Sequence, residues 1–306
     1  MSNNFAGRHG RALSRLATSA IAVTLLGATA GTAVAADGPS AAQRSAKAAA
    51  VAGGPATAAV RTGSAPVLPI NAADYKGALD VYGPNGKGGI KALKKGKKND
   101  GWNDYKAVAQ VHSSSGGNFG FFFLWKDGLL VFADKYGYVN VGSHMDYDLM
   151  LSPGDLGGSE NSGLLARDKS GVMWYYQGKY DGSVKARKRV GGGWGQYTEI
   201  VGRGDLTGDG KADIVARDKQ GVLWLYKGTG KADKPFAGRT KIGGGWNQYT
   251  KLITTGDIDG DGRSDLLAVD KKGALWLYKG TGKASSPFKS RVKVANSGWD
   301  KYRLVF

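Results

Sequence analysis

The chain lacks cysteine and has few of the residues on which enzymes most often rely. Its 306 residues include no Cys, 3 His and two glutamates, Glu160 and Glu199. The absence of thiols excludes disulfides, zinc–thiolate sites and cysteine nucleophiles together. Glycine, with 50 residues, and positive charge, with a formal net charge of +18, are abundant instead.

The first residues have the pattern of an export signal. A stretch with three arginines precedes a mostly apolar run over residues 16–30, which is too short to span a bilayer comfortably. Residues 33–35, Ala-Val-Ala, form a small-x-small cleavage site. We interpret residues 1–35 as a signal peptide, with an uncleaved anchor as the alternative. The protein is therefore predicted to be secreted and extracellular, with no transmembrane segment in the mature chain.

A segment of low complexity follows the signal. Residues 36–66 are mostly Ala, Gly, Ser, Pro and Thr, with almost no large apolar side chain. Such a composition cannot bury enough surface to offset the entropy lost on ordering. We expect residues 36–66 to be a disordered linker and residues 67–306 to be the folded domain.

Two short sequence markers repeat through the folded domain. The first has the form Gly-x-Leu-Trp-Leu-Tyr, with looser early copies, and begins at Gly77, Gly128, Gly171, Gly221 and Gly273. The second is Gly-Trp-x-x-Tyr; it begins at Gly101, Gly193, Gly245 and Gly298, with a decayed copy at Ser143. Because the two markers keep the same phase, the domain is predicted to contain five repeats.

Each repeat contains four short strand-like runs. In the last full copy they cover residues 249–254, 265–269, 274–278 and 291–294. Runs such as residues 266–269 are apolar at consecutive positions, which is typical of strands buried on both faces. Four strands per unit of roughly fifty residues predict an all-β fold, a five-bladed β-propeller of four-stranded antiparallel blades.

The two ends of the domain complement each other. Residues 69–74 align with the second strand of a repeat, so the first repeat lacks its first strand, whereas residues 302–306 align with a first strand and have no repeat to follow. We therefore expect residues 302–306 to pair beside residues 69–74 as the innermost strand of the first blade. This would close the ring and leave no exposed inner edge, which an open solenoid, the alternative, would have to protect.

The last repeat contains an acidic loop between its first two strands. Four aspartates, at loop positions 1, 3, 5 and 9, surround a glycine, and Arg263 at position 7 would offer only its backbone carbonyl; the five residues are Asp257, Asp259, Asp261, Arg263 and Asp265. Calcium prefers six to eight hard oxygen ligands, so this spacing predicts a calcium site. A solvated Asp-Gly turn is the alternative.

The fourth repeat has a weaker version of the same loop. A threonine replaces the second carboxylate, and the corresponding residues are Asp205, Thr207, Asp209, Lys211 and Asp213. We predict a second, weaker calcium site here. The third repeat keeps only Asp155 of the pattern, for which we predict no site.

These loops resemble the FG-GAP/VCBS repeats of integrin α-subunit propellers and of many secreted bacterial proteins. The resemblance implies that calcium binds in the hairpin loops between the first two strands of a blade, and that the residues just named are its ligands. The Gly-Trp-x-x-Tyr marker and the number of repeats are also similar to tachylectin-type five-bladed lectins. That similarity implies the binding of N-acetylated sugars between blades.

Catalytic constellations are missing. Beyond the signal the histidines are His112 and His144, and Ser113 beside His112 would point to the opposite side of an extended chain. Glycoside hydrolysis usually needs two carboxylates, and neither Glu160 nor Glu199 belongs to a convincing cluster. We predict that the protein is not an enzyme.

The repeated tryptophans fall into two sets. One lies mid-strand and is interpreted as core: Trp174, Trp224 and Trp276. The other follows glycines where one repeat crosses to the next: Trp102, Trp194, Trp246 and Trp299. We expect the second set to form an aromatic ring on the face away from the calcium loops, suited to binding a pyranose ring, with packing between blades as the alternative.

Positive charge is concentrated near two predicted outer strands, at residues 94–98 and 187–189. These clusters fit an acidic partner such as an anionic cell-wall polymer or a lipid head group, or they form a solvated edge that blocks strand pairing. No nucleic-acid motif accompanies the charge. The favoured function is a carbohydrate-binding, lectin-like module that recognises cell-surface or cell-wall glycans. The alternative is an integrin-like protein–protein scaffold or the targeting subunit of a secreted assembly.

Overall fold

The computed structural model describes residues 65–85, 87–111, 120–134, 137–179 and 183–306. The predicted signal peptide, the predicted linker up to residue 64, and the pair His112 and Ser113 lie outside the described residues. Within the described ranges the chain forms β-strands with three short 3-10 helices. None of the helices in this part of the chain is long and apolar enough to cross a membrane.

The described residues form five four-stranded antiparallel sheets, which confirms the five-bladed propeller. Blade 1 combines the last strand of the chain with the first three: β20 (Tyr302–Val305), β1 (Ile70–Asp74), β2 (Leu79–Pro84) and β3 (Ile90–Lys94). Blade 2 contains β4 (Tyr105–Val111), β5 (Gly120–Trp125), β6 (Leu130–Asp134) and β7 (Gly137–Gly142). Blade 3 contains β8 (Tyr147–Gly154), β9 (Gly163–Asp168), β10 (Met173–Tyr176) and β11 (Lys188–Gly191).

The last two blades follow the same order. Blade 4 contains β12 (Tyr197–Val201), β13 (Ile214–Asp218), β14 (Leu223–Gly228) and β15 (Phe236–Gly243). Blade 5 contains β16 (Tyr249–Ile253), β17 (Leu266–Asp270), β18 (Leu275–Tyr278) and β19 (Val292–Ala295). The four strands of blade 5 agree with the sequence prediction to within one residue at each end.

The C-terminal strand closes the ring, as predicted. β20 pairs antiparallel with β1, and Ala72 lies opposite Val305. Beyond the strand, the amide of Asn71 donates to the carbonyl of Phe306 at 2.8 Å, and the amide of Phe306 donates to the carbonyl of Asn71 at 2.9 Å. The edge of β1 that would otherwise be exposed is therefore paired from Asn71 to Asp74.

The hydrophobic core lies between blades. In the described part of the chain the buried apolar residues fall into five clusters, and each cluster joins two neighbouring blades, including blades 5 and 1. Successive residues of one strand serve different clusters: Ala72 packs toward blade 5 and Ala73 toward blade 2. This explains the runs of consecutive apolar residues, since each blade has no solvent-facing side at its inner strands.

The two repeated markers are in phase because they contact each other. The backbone amide of the tryptophan in the second marker donates to the carbonyl of the leading glycine in the first, from Trp194 to Gly171 at 3.0 Å and from Trp246 to Gly221 at 2.9 Å. The tyrosines that end the two markers then share a hydrogen bond in blades 1, 3, 4 and 5, whereas the first marker of blade 2 has no tyrosine at this place. These pairs are Tyr147–Tyr176 and Tyr197–Tyr226 at 2.6 Å, Tyr249–Tyr278 at 2.7 Å, and Tyr302–Tyr82.

A left-handed glycine begins each described 3-10 crossover. Gly193 and Gly245 have φ of 83° and 85°, and each precedes a helical turn that starts at the tryptophan. Glycine adopts this conformation at no steric cost, whereas other residues are strained there. The left-handed backbone conformation at this position therefore explains why the Gly-Trp-x-x-Tyr marker begins with glycine.

Candidate functional site

The acidic loop of blade 5 brings three carboxylates together. Asp257, Asp259 and Asp265 each place one oxygen within 4.8 Å of the others. Backbone amides fix the two buried members: Gly262 donates to Asp257 at 2.8 Å, and Gly280 donates to Asp265 at 2.8 Å. The arrangement offers a cluster of hard anionic oxygens of the kind that calcium prefers.

The loop of blade 4 forms a similar cluster from a different subset of positions. Asp205, Asp209 and Asp213 meet the same 4.8 Å limit. Asp213 is fully buried and accepts from the amides of Leu206 at 3.0 Å and Gly228 at 2.8 Å. Among the described residues, these two loops are the places where three carboxylates lie close enough together to hold a metal ion. The loop at Asp155 does not form such a group.

The last aspartate of each loop has a raised pKa. Burial raises the pKa of Asp213 and of Asp265 to about 6, although backbone hydrogen bonds oppose the shift. The carboxylates of Asp205 and Asp259 raise it further. A divalent cation would relieve both effects, because it lowers the cost of a buried negative charge.

A lysine at the end of the third strand of each blade already contacts each cluster. Lys279 Nζ lies 2.9 Å from Asp259 Oδ2, and Lys227 Nζ lies 3.7 Å from Asp209 Oδ2. The contact with Asp259 raises the pKa of Lys279. These ammonium groups supply positive charge at the carboxylates, so a bound cation would have to compete with them.

The remaining four predicted ligands lie outside the two carboxylate clusters. Asp261 stands outside the blade 5 cluster and pairs with Arg263 at 3.2 Å. In blade 4, Thr207 is buried and its amide donates to Asp205 at 2.8 Å. The Arg263 and Lys211 amides donate within the loops, to Asp261 at 3.0 Å and to Asp209 at 3.1 Å. The structure therefore brings together six of the ten predicted residues.

The start of the described chain runs across the blade 5 loop. The carbonyl of Pro66 accepts from the amide of Asp257 at 2.9 Å, and the amide of Ala65 donates to the carbonyl of Gly262 at 3.1 Å. Gly256, with φ of 103°, allows this approach, since a Cβ there would lie 1.7 Å from the Pro66 oxygen. Ordered contacts are thus already present at Ala65, ahead of the predicted start of the folded domain.

The crossover tryptophans are buried, which corrects the interpretation of a sugar-binding aromatic face. Trp102, Trp194, Trp246 and Trp299 are 2–7% exposed and belong to the clusters between blades. Trp194 packs on Tyr226 with ring centroids 4.7 Å apart. A sugar ring needs an open indole face, and here neighbouring blades occupy those faces. These four tryptophans therefore pack between blades, as the alternative interpretation had it.

The mid-strand tryptophans, expected in the core, are half-buried and form a repeated surface feature. In blades 3, 4 and 5 the indole Nε1 donates to an aspartate at 2.8 Å, and an exposed arginine stacks on the ring at 4.1–4.2 Å. We call each such set a ledge. The ledges are Asp168–Trp174–Arg187, Asp218–Trp224–Arg239 and Asp270–Trp276–Arg291.

Each ledge carries a second cation and neutral polar groups. The outer strand places Arg189, Lys241 or Lys293 directly opposite the tryptophan. In blade 4, Arg239 also donates to Gln196 at 2.9 Å and to the hydroxyl of Tyr197. Arg291 makes the same pair of contacts in blade 5, with Gln248 and Tyr249.

A sequence signal for the ledges existed. Each ledge tryptophan lies six residues after its aspartate, and the outer strand carries two basic residues at alternate positions. Alternate residues of a strand share a face, so this pattern predicts two cations beside the indole. The core interpretation rested on the large size of the indole alone. Size does not reveal that these tryptophans lie in the third strand of the blade, next to its outer strand.

The innermost strands line a central channel of about 440 Å³. Near the crossovers its wall is charged, with Lys106, Asp148, Glu199, Lys251 and Arg303. The middle is apolar, and toward the acidic loops the wall carries Gln110, Ser152 and Arg203. The channel is thus polar at both mouths and apolar between them.

The basic groups at the crossover mouth hold backbone carbonyls. Lys251 donates to the carbonyl of Tyr302 at 2.8 Å, and Arg303 donates to the carbonyl of Trp102 at 2.7 Å. Glu199, 3.9 Å from Arg217, faces the same region. Burial raises the pKa of Glu199 to about 6, although Arg217 and Lys251 oppose the shift.

The sequence comparison supports the repeat resemblance over part of the chain. Residues 205–268 match the family model described as FG-GAP-like repeat. This confirms the resemblance for the stretch that contains both acidic loops. Among curated proteins, none matches this sequence.

Several solved structures have chain traces similar to this one, and one of them is a lectin. The BP39L lectin from Burkholderia pseudomallei has a TM-score of 0.47 and 14% identity, over 77% of this chain and 71% of that chain. A triple arginine-to-alanine mutant of AofleA from Arthrobotrys oligospora has a TM-score of 0.45 and 9% identity, over 77% and 75%. A putative 6-phosphogluconolactonase from Bacteroides fragilis has a TM-score of 0.35 and 12% identity, over 78% and 82%.

Proposed function

We propose that this chain is a secreted, non-catalytic, calcium-binding β-propeller that recognises anionic glycans of cell surfaces or cell walls. The observation that supports recognition best is the ledge, which recurs in three successive blades with the same residue types and contacts. Calcium would act as a structural ion in the loops of blades 4 and 5. The export signal and the absence of a catalytic constellation are the sequence-based parts of this proposal.

Calcium binding is supported by the donor set of the two loops. Carboxylate oxygens converge at each loop, and two of them belong to buried aspartates whose pKa is raised. An ion held there would join the hairpin of strands one and two to the end of strand three, where Gly228 and Gly280 contact the loops. In blade 5 it would also fix the segment at residues 65–68, which lies across the loop.

Glycan binding is supported by the chemistry of the ledges. An indole edge, a guanidinium and a second cation lie together at the surface, beside tyrosine and glutamine side chains. Aromatic and cationic groups of this kind suit a sugar ring that bears a carboxylate or a phosphate. Three equivalent ledges on one ring would allow a repetitive polymer to bind at several points, which raises avidity without new contacts.

The test is a glycan array that includes uronate- and phosphate-bearing cell-wall polymers, probed with the wild type and with Arg239→Ala, Arg291→Ala and the combined variant with Arg187→Ala. We expect binding by the wild type, weaker binding by each single variant and loss in the combined variant. Asp233→Ala, at an exposed residue outside the ledges, is the control for general surface effects.

Binding that persists in the combined variant would contradict the role of the ledges. An array without any bound glycan would contradict the glycan function and favour the protein–protein scaffold. Calcium is tested separately, by titration after chelation, so that failure of one part does not decide the other.

A further inference from the structure

The central channel contains one buried cation whose hydrogen-bonding groups are largely unused. Arg203 is 5% exposed, and its Nη2 donates to the carbonyl of Gln110. Its Nε and Nη1 have no hydrogen-bond partner in the described structure. Buried polar groups are normally hydrogen-bonded, and each exception needs an explanation.

No negative charge compensates Arg203. Within the described ranges no carboxylate lies at ion-pair distance from it, whereas the channel carboxylates Asp148 and Glu199 lie near Arg167 and Arg217, at 2.9 Å and 3.9 Å. Desolvation lowers the pKa of Arg203 to about 10, so the guanidinium stays charged at neutral pH. A buried charge without a partner is strongly unfavourable, because no nearby opposite charge offsets the loss of hydration.

A second unused donor lies beside it. Gln110 is 1% exposed and lines the same channel mouth, and its Nε2 has no partner among the described residues. The amide oxygen of Gln110 faces Asn71 Nδ2 at 3.5 Å, and its backbone carbonyl accepts from Arg203. Two neighbouring residues at this channel mouth therefore carry buried N–H groups without acceptors.

We propose that the central channel binds a small oxyanion, a carboxylate or a phosphate group, at Arg203 and Gln110. The guanidinium of Arg203 matches an oxyanion in charge, and together with the neutral amide of Gln110 it supplies hydrogen-bond donors. The apolar middle of the channel, which includes Ala109, Ile200 and Leu252, would accommodate a short apolar part of such a ligand. This site is distinct from the ledges and adjoins the acidic loops, because Arg203 lies two residues before Asp205 and its carbonyl accepts from Ser264 Oγ.

The test uses inorganic phosphate and propionate as probes, titrated into calcium-depleted protein at constant ionic strength with isothermal calorimetry. Binding of phosphate alone, propionate alone or both supports the site and identifies the ligand class. Arg203→Gln should weaken binding at least about tenfold. Lys106→Gln removes the same charge from the other mouth of the channel and should change affinity by less than about threefold.

If neither probe binds the wild type, the proposal is wrong, because water alone would then supply the hydrogen-bond acceptors for the Arg203 guanidinium. Equal binding by Arg203→Gln would also overturn it. Should Arg203→Gln fail to fold, crystals of the wild type grown with selenate give a second test. An anomalous peak at the Arg203 guanidinium supports the proposal, and its absence overturns it.

Discussion

Trp276 Nε1 donates a 2.8 Å hydrogen bond to Asp270 Oδ2, while the other carboxylate oxygen of Asp270 accepts from the amides of Lys272 and Ala274. One aspartate thereby fixes both the turn between strands two and three and the indole that follows it. The same arrangement occurs at Asp168 and Asp218. The ledge is therefore tied to the blade by its own hairpin turn.

We first predict that Asp270→Ala destabilises blade 5. The substitution leaves the indole N–H and two turn amides without their acceptor, which should lower the free energy of unfolding by about 1–3 kcal/mol. Urea denaturation of the variant and the wild type measures the difference. Asp233→Ala, whose partner Lys188 lies on the surface, should change stability by less than about 0.5 kcal/mol. Equal stability of Asp270→Ala and the wild type would contradict the prediction.

The second prediction concerns calcium in blade 5. Calcium should raise the melting temperature of chelator-treated protein, since a ligand that binds only the folded state stabilises it. Asp265→Asn and Asp259→Asn should remove most of the blade 5 contribution, because both residues belong to the carboxylate cluster. Asp261→Asn should keep most of it, because Asp261 pairs with Arg263. Differential scanning calorimetry with and without calcium measures all four proteins.

Two outcomes would contradict this view of calcium. A melting curve unaffected by chelation would refute the metal sites. A stronger loss in Asp261→Asn than in Asp259→Asn would show that the loop rearranges around the ion. Lys279→Gln separates competition from ligation: removal of the ammonium beside Asp259 should raise calcium affinity, and lower affinity would mean that Lys279 supports the site.

The third prediction follows from the raised pKa of Glu199. Its folded-state pKa of about 6 exceeds the ordinary value of 4.5, so the folded protein binds this proton more tightly than the unfolded chain. The contribution of Glu199 to stability is present below pH 4.5 and is lost as pH rises through 6. Glutamine carries no charge to desolvate, so Glu199→Gln should be more stable than the wild type at pH 8. Because the Glu199 side chain is 25% exposed, solvent screens part of the effect, and we expect a gain of about 1 kcal/mol.

The gain from Glu199→Gln should vanish at about pH 4, where the native carboxyl is protonated. Chemical denaturation at both pH values tests this. Asp213 and Asp265 titrate equally in the wild type and the variant, so their contribution cancels when the two free energies of unfolding are subtracted. A gain that is the same under both conditions would mean that packing, not charge, causes it.

The repeat phase made the blade number and the ring closure predictable, because each depends on which strand type a segment resembles. Residues 302–306 could be assigned to blade 1 from alignment alone, as the pairing of Ala72 with Val305 confirms. The acidic loops were likewise visible, since a local spacing of aspartates defines them. What could not be predicted was which aspartate turns inward, because that depends on the amides of the next strand.

The burial of the two tryptophan sets could not be predicted from the sequence, for a physical reason. Burial in a propeller depends on distance from the axis and on the neighbouring blade, which no single repeat records. Trp246 follows a left-handed glycine and is turned under Tyr278, with ring centroids 4.8 Å apart. Trp276 lies in the third strand, beside the outer edge, where it packs against the margin of the cluster between blades 4 and 5 while Arg291 covers its ring.

The fourth prediction is that deletion of residues 302–306 causes self-association. The deletion removes β20 and exposes the backbone of β1, which is a ready edge for pairing with another chain. It also removes Tyr302, whose hydroxyl contacts Asp80 and Tyr82. Size-exclusion chromatography with light scattering should detect oligomers or aggregates. Lys301→Ala, at the exposed residue just before the strand, should remain in the wild-type state, and a deleted chain in that same state would refute the role of β20.

The last prediction separates the two tryptophan sets by stability and binding. Trp246→Ala removes a buried indole from the interface of blades 4 and 5 and should cost about 3–5 kcal/mol. Trp276→Ala removes a half-buried indole that holds Asp270 and Arg291, so its cost should be smaller, about 1–2 kcal/mol. Binding to the glycan that the wild type selects should change in the opposite order: Trp246→Phe, which keeps an aromatic core, should bind normally, whereas Trp276→Ala should lose binding while staying folded. Denaturation curves and glycan titrations on the same samples give both quantities, and a folded Trp276→Ala that binds as well as the wild type would show that the ledges serve the architecture of the blade alone.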